Sequence, residues 1–260
     1  MVGRDALLIQ ISDTHLLADP QAQVRGWNNQ LALDAVLAHV QANYPRMDAL
    51  LLTGDLVHDE SPAGYRRLAQ QLRRLDVPVH ALPGNHDDPA LMRKHLSGIG
   101  QDPFCVGGWQ VQLLDSHVAG SDAGRLGRQQ MERLARGLGS NPDTPTLVAV
   151  HHPAAPIGVA WLDGSRLADG AALLQLAAAH AQIQALLCGH VHHPTDTRSG
   201  GVRQLTAPAV TRQFAPRGDV PKIDARRAPG YRVLRLGAHG RLRTRVRRVA
   251  DAQACAQETR

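Results

Sequence analysis

The chain has 260 residues, 43% of them hydrophobic and 20% charged, enough to bury a substantial core without disulfides or a structural metal. No apolar run approaches the ~20 residues that a membrane-spanning helix needs, and the stretch from Met1 to Ile11 meets Asp13 and His15 too soon to be a cleavable signal peptide. The three cysteines, Cys105, Cys188 and Cys255, are odd in number and far apart, which excludes a disulfide framework or a zinc knuckle and fits a reducing cytoplasm.

The formal charge of +6 invites a nucleic-acid partner, but its distribution argues against one. Of 29 basic residues all but Lys94 and Lys222 are arginine, and they are scattered. The densest run is Arg241, Arg243, Arg245, Arg247 and Arg248; its alternation with Leu242, Thr244 and Val246 is that of a half-buried strand with a solvated face. Three Trp, three Tyr and two Phe are too few for a base-stacking platform. No nucleic-acid or membrane partner is expected, and monomer and homodimer both remain open.

In chain order, Ala6–Ser12 reads as a buried strand, followed by a helix capped by Asn28 or Asn29 with Leu33, Val36, Leu37 and Val40 on one face. Ala49–Thr53 is a second strand, and Ser61-Pro62 opens a helix striped by Tyr65, Leu68, Leu72 and Leu75. Val77–Leu82 is a third strand, with a short helix near Leu91–Leu96 after it. Gln110–Asp115, Thr146–Val150 and Ile183–Cys188 read as strands; Leu126–Leu138 and Ala171–Ala181 read as the helices between them. The tail changes character: Val202–Thr206, Tyr231–Leu236 and Arg241–Val249 alternate, with Gly237–Gly240 as a hairpin turn and Arg212–Ala228 as an unpatterned loop. The front is βαβ-like and the back is β-rich. A single domain over 1–260 follows, with 1–200 carrying the motifs and 201–260 completing a second sheet.

Fourteen histidines are many for this length. Five segments share one layout, an apolar strand and then a sharp turn bearing Asp, His or Asn. They are Ile11-Ser12-Asp13-Thr14-His15, Thr53-Gly54-Asp55, Pro83-Gly84-Asn85-His86-Asp87, Val150-His151-His152-Pro153 and Cys188-Gly189-His190-Val191-His192. Carboxyl ends of strands in an open α/β sheet converge on one edge, where ligands bind. The i, i+2 pairs Asp13/His15 and His190/His192 would point to one side of extended backbone, as two ligands of one centre require. Carboxylate, imidazole and amide donors without thiolate suit Mn, Fe, Zn or Co. Seven candidate ligands exceed one tetrahedral ion and suit two ions sharing a carboxylate. Two divalent ions bring +4, of which Asp13 and Asp55 cancel two; the remainder attracts a phosphodiester monoanion. His151 and His152 are adjacent in a strand pattern, so only one can face the centre.

These motifs resemble the calcineurin-like metallophosphoesterases, and within them the bacterial class III 3′,5′-cyclic AMP phosphodiesterases. The likeness runs from the first strand to the final hairpin and includes Leu113-Leu114-Asp115-Ser116, Trp161-Leu162-Asp163 and Gln213-Phe214-Ala215-Pro216. Gly54-Asp55-Leu56-Val57-His58 and Asp87 depart from the Gly-Asp-x-x-Asp-Arg-Gly and Gly-Asn-His-Glu of serine/threonine protein phosphatases. His86 stands where lipid-A pathway pyrophosphatases have arginine.

The resemblance implies a four-layer αββα sandwich of two mixed sheets with a dimetal site at one edge. It places Asp13, His15, Asp55 and His192 on one ion, and Asp55 as the bridge with Asn85, His151 and His190 on the other; Fe and Mn lead, with Zn or Co as further options. His86 then lies beside the phosphate, as an acid or an electrostatic stabiliser. His15, Asp55, Asn85, His86 and His192 would contact a small cyclic nucleotide, with Phe214 the leading aromatic to flank its base. The expected reaction is hydrolysis of 3′,5′-cyclic AMP to 5′-AMP, by in-line attack of a hydroxide shared between the ions. A broad phosphodiesterase acting on glycerophosphodiesters or 2′,3′-cyclic nucleotides is the runner-up, and a non-catalytic protein-binding scaffold the remote alternative. His58, His80, His117 and His193 match no ligand position and read as supporting or surface residues.

Overall fold

The computed structural model describes residues 4–252; Cys255 lies outside the described residues. In chain order the strands are β1 (Ala6–Ile11), β2 (Ala49–Thr53), β3 (Val79–Leu82), β4 (Phe104–Val106), β5 (Trp109–Leu114), β6 (Thr146–Val150), β7 (Ile183–Cys188), β8 (Asp196–Ser199), β9 (Val202–Thr206), β10 (Gly230–Leu236) and β11 (Leu242–Arg248). The helices are α1 (Asn29–Asn43), α2 (Pro62–Leu72), α3 (Pro89–His95), α4 (Gly127–Ser140), α5 (Ala160–Asp163) and α6 (Gly170–Ala178). No helix among the described residues is long and apolar enough to cross a membrane.

The strands form two mixed sheets, in the orders β11-β10-β1-β2-β3 and β4-β5-β6-β7-β9-β8. Strand alternation explains the four layers. Leu7, Ile9, Ile11, Leu50 and Leu52 face outward onto Leu33, Val36, Val40, Leu68 and Leu72 of α1 and α2. Leu8, Ala49 and Leu51 face inward and meet Val111, Leu113, Leu147, Ala149 and Leu187 of the second sheet. On the far side, Val148, Val150, Leu186 and Cys188 pack under Leu134 and Leu138 of α4 and Leu173 and Ala177 of α6. Strands covered on both faces lose the polar half of the alternation, which is why the central ones read as continuous apolar runs.

Capping fixes where the helices begin. The Asn28 side chain accepts from the Leu31 amide at 2.9 Å, Ser61 from Gly64 at 3.2 Å, and Asp88 from Ala90 and Leu91 at 2.7 and 3.1 Å.

The tail departs from the sequence expectation. Only β9 joins the second sheet; β10 and β11 join the first, with β10 antiparallel to β1 from Ala6↔Leu236 to Gln10↔Arg232. Without them β1 would be an edge strand with unpaired amides although it is buried, so the returning hairpin covers that edge. The arginine-rich β11 is then itself the exposed edge, and its charges guard it against further pairing.

Candidate dimetal site

The parallel strands β1, β2 and β3 of one sheet and β6 and β7 of the other end at the same side of the sandwich, and each runs into one of the five motifs. The backbone there is unusual. Among the described residues eight non-glycine positions have positive φ, and five belong to the motifs: Asp13 (57°), His15 (44°), Asp55 (52°), His190 (68°) and His192 (50°). The i, i+2 pairs therefore converge through left-handed turns and not through extended backbone, which corrects the expected reason for their shared side. Hydrogen bonds lock the turns: the Asp13 amide donates to Gly54 O at 3.0 Å and the His15 amide to Asp55 O at 2.9 Å. Each left-handed non-glycine residue costs roughly 1–3 kcal/mol, a strain that persists only where surrounding structure fixes it and that clusters at functional sites.

The seven motif donors meet in two adjoining groups. Asp13, His15, Asp55 and His192 present ligand atoms that all lie within 4.8 Å of one another, all buried. His15 Nε2 is 3.2 Å from His192 Nε2 and 3.5 Å from Asp55 Oδ2, and His192 Nε2 is 3.5 Å from Asp13 Oδ1. In the second group His151 Nε2 is 3.3 Å from Asp55 Oδ1 and 3.2 Å from Asn85 Oδ1, which is 3.0 Å from His190 Nδ1. Asp55 thus turns one oxygen to each group, the arrangement a bridging carboxylate requires.

The residues fit two cations. Asp13 Oδ2 is buried without a hydrogen-bond partner, and imidazole nitrogens packed this closely repel when both are bare, a repulsion that a proton or a cation between them removes. The outer ring nitrogens have partners that set the tautomers: His151 Nδ1 donates to Thr53 O at 2.7 Å, His192 Nδ1 to Arg212 O at 2.8 Å, and His190 Nε2 to Ser165 Oγ at 2.9 Å.

The electrostatics agree. Burial keeps His15 well below its ordinary pKa and His190 down at about 3, so both offer neutral lone pairs. Burial also opposes the ionisation of Asp55, yet the charge of His151 and its hydrogen bond to the carboxylate outweigh it and hold the carboxyl well below its usual range. His151 is the exception: burial lowers it, but Asp55 raises it to about 9. That value lies above the unfolded 6.5, so in metal-free protein the Asp55–His151 pair stabilises fully below pH 6.5 and is lost as pH rises through about 9. Metal must displace the same proton. The thermal midpoint of chelator-stripped protein is therefore expected to fall from pH 6.5 to 9 while manganese affinity rises; a flat midpoint together with pH-independent affinity would contradict the pairing.

Glycine makes the close approach possible. A Cβ on Gly84 would lie 2.1 Å from Asp55 Oδ1 and 2.4 Å from the Asp55 amide nitrogen, so Gly84→Ala must displace Asp55 or its own loop. A misplacement near 1 Å costs roughly 10²-fold in rate, and kcat/KM for a phosphodiester is expected to fall at least that far. Activity within threefold of wild type would refute this contact.

His152 also brings a ring nitrogen within 4.8 Å of those of His151 and His190, but both of its ring nitrogens are engaged elsewhere. Its Nδ1 pairs with Ser116 Oγ at 2.8 Å and its Nε2 with Asp122 O at 3.1 Å. His86 is half-buried; its ring is 4.9 Å from that of His15, and its amide donates to Asp55 Oδ1 at 3.0 Å. Phe214 stacks on His192 (4.3 Å, 18°) and meets Trp161 edge-on, so one of its faces is already covered. His80 lies away from the motifs, stacked on Phe104.

Three supporting residues have no role in the motif reading. Asn29 Nδ2 donates to His15 O at 2.6 Å, while Asn28 alone caps α1. Ser165 holds His190. Asp87 is fully buried and accepts from the amides of Leu56, Val57 and Gly84 and from the Tyr65 hydroxyl at 2.9–3.1 Å, tying the Asp55 loop to the Asn85 loop. Asp87 was visible within its motif; its partners were not.

A four-layer sandwich with two adjoining carboxylate–imidazole groups that share Asp55 at its strand ends defines a metal-dependent phosphoester hydrolase. The chain belongs to the calcineurin-like phosphoesterase family, whose profile matches residues 7–194. It is 38% identical over 247 residues to the 3′,5′-cyclic adenosine monophosphate phosphodiesterase CpdA of Pseudomonas aeruginosa, covering 94% of this chain and 90% of that protein. The CpdA of Escherichia coli K12 is 36% identical over 250 residues, covering 95% and 90%. Among solved structures, a dimetal phosphatase from Danio rerio superposes with a TM-score of 0.70 at 15% identity, covering 95% of this chain and all of that one, a likeness of fold.

Proposed function

We propose that this protein hydrolyses 3′,5′-cyclic AMP to 5′-AMP at a centre of two divalent ions. The observation that carries the reading is Asp55, with Oδ2 facing His15 and Oδ1 facing His151; the likeness to the CpdA proteins supports the substrate. Asp13, His15, Asp55 and His192 hold one ion, and Asp55, Asn85, His151 and His190 the other. The thiolate-free donor set favours Fe or Mn, with Zn or Co able to substitute. When bound, the ions supply Lewis acidity toward a phosphoryl oxygen and a nucleophile from water at neutral pH.

The chain's own residues orient the ester and manage the proton. His15, Asp55, Asn85 and His192 frame the phosphate position, and His86 opposes its developing negative charge. Water oxygen bonds to phosphorus and gives up one proton to solvent, the bond to O3′ breaks in line, and O3′ takes a proton from His86, which solvent then restores. Phe214, with one face on His192, flanks the base. The free thiols Cys105 and Cys188 fit a cytoplasmic setting.

Reaction of the manganese-loaded enzyme with cyclic AMP in H₂¹⁸O tests the reading. The expected product is 5′-AMP with one ¹⁸O on phosphorus and no 3′-AMP. Predominant 3′-AMP, or turnover unchanged after chelation, would overturn it.

A further inference from the structure

Four imidazoles serve the proposed ions, and each needs a hydrogen-bond acceptor for the ring nitrogen that does not ligate. For His151 and His192 that acceptor is a main-chain carbonyl, and for His190 it is Ser165 Oγ. For His15 it is a second histidine. His15 Nε2 faces His192 and Asp55, so the proton belongs on Nδ1, and Nδ1 lies 3.3 Å from His58 Nδ1.

We infer that His58 is a positioning residue for His15, accepting its Nδ1–H and so fixing the tautomer whose Nε2 faces the ions. The inference rests on the dimetal reading above. Two features place the acceptor. The His58 amide donates to Leu16 O at 2.7 Å, which anchors its backbone beside the strand-end turn of His15. Its ring stacks on His86 at 4.8 Å and 27°, which sets the plane of the imidazole. A neutral imidazole has one bare nitrogen; with Nδ1 accepting from His15, His58 carries its own proton on Nε2.

His15, His58 and His86 also bring ring nitrogens within 4.8 Å of one another, so a third cation is the competing explanation of the cluster. It is disfavoured chemically. His15 would have to lose its one remaining ring proton and, as an imidazolate, bridge a third positive ion to a centre already carrying two.

Two substitutions separate the hydrogen bond from the stacking. His58→Asn places an amide oxygen close to where Nδ1 stands and keeps an acceptor. His58→Phe keeps a ring against His86 and removes the acceptor; His58→Leu serves if the phenylalanine variant fails to fold. The measurement is manganese binding to the metal-free full-length chain by competition with a chelating indicator, beside the thermal midpoint of the metal-free protein. Wild type is expected to bind two ions and His58→Asn to match it within about threefold. His58→Phe should weaken one site by roughly 10–100-fold, the range for loss of a partner behind a metal ligand, and leave the other site and the metal-free midpoint unchanged.

Wild-type affinity at both sites in His58→Phe would overturn the inference. So would equal weakening in the asparagine variant, or a third wild-type ion that disappears in both variants. Fewer than two ions on wild type would instead overturn the dimetal reading, and the inference with it.

Discussion

Asp55→Asn is expected to lower kcat/KM for cyclic AMP by roughly 10³-fold or more, while the metal-free protein still unfolds cooperatively. Losing the proposed bridging carboxylate forfeits several kcal/mol of transition-state stabilisation, at 1.36 kcal/mol per factor of ten. An amide keeps the oxygen that accepts from the His86 amide but loses the negative charge and the second anionic oxygen. His151 then loses the charge that raises its pKa and becomes neutral, so no uncompensated cation is left in the interior. Metal content should fall from two ions to one or none by elemental analysis. An Asp55→Asn enzyme with two ions and full turnover would show that the two oxygens do not bridge.

Asp87→Ala should be the most destabilising single change near the site. It strands the amides of Leu56, Val57 and Gly84 and the Tyr65 hydroxyl in a dry interior. Each unsatisfied buried donor costs about 1–3 kcal/mol, and partial relaxation brings the total to about 4 kcal/mol. At 2–4 °C per kcal/mol for a chain of this size, the thermal midpoint falls by about 8–16 °C. Burial and the charge of Asp55 push the Asp87 carboxyl up to about 6, so its ionisation is itself a cost that the amide donors offset in part. Asp87→Asn is expected to lose less stability than alanine, because one amide oxygen still accepts. Equal midpoints for wild type and Asp87→Ala would show that the two loops hold together without this clamp.

Much of the architecture was legible because local pattern and global environment agree. Thr146–Val150, Ile183–Cys188 and Val202–Thr206 are strands within the bounds their apolar runs set. The runs end where the motifs begin, so the edge carrying the donors could be read from residues nearly 180 positions apart. What escaped was decided by contacts between distant segments. Strands β4 and β8 and helix α5 have three or four residues, too few to show a period.

The placement of β10 and β11 depended on which sheet had an unsatisfied edge, and alternation alone is the same for either choice. The left-handed backbone at Asp13 and His15 follows from amides paired to Gly54 and Asp55, some forty residues away. Asp87, Asn29 and Ser165 act through the backbone or the far ring nitrogen of a donor residue. Their residue types are ordinary for turns and caps, and spacing carries no sign of the partner.

Comparison of kcat/KM for 3′,5′-cyclic AMP, 2′,3′-cyclic AMP and glycerophosphocholine, with one manganese-loaded preparation, tests the proposed activity most directly. A preference for 3′,5′-cyclic AMP of at least about 10²-fold is expected, the scale that a few specific pocket contacts supply. Equal or greater efficiency on the other two esters would contradict the assignment and make this a broad phosphodiesterase built on the same pair of ions.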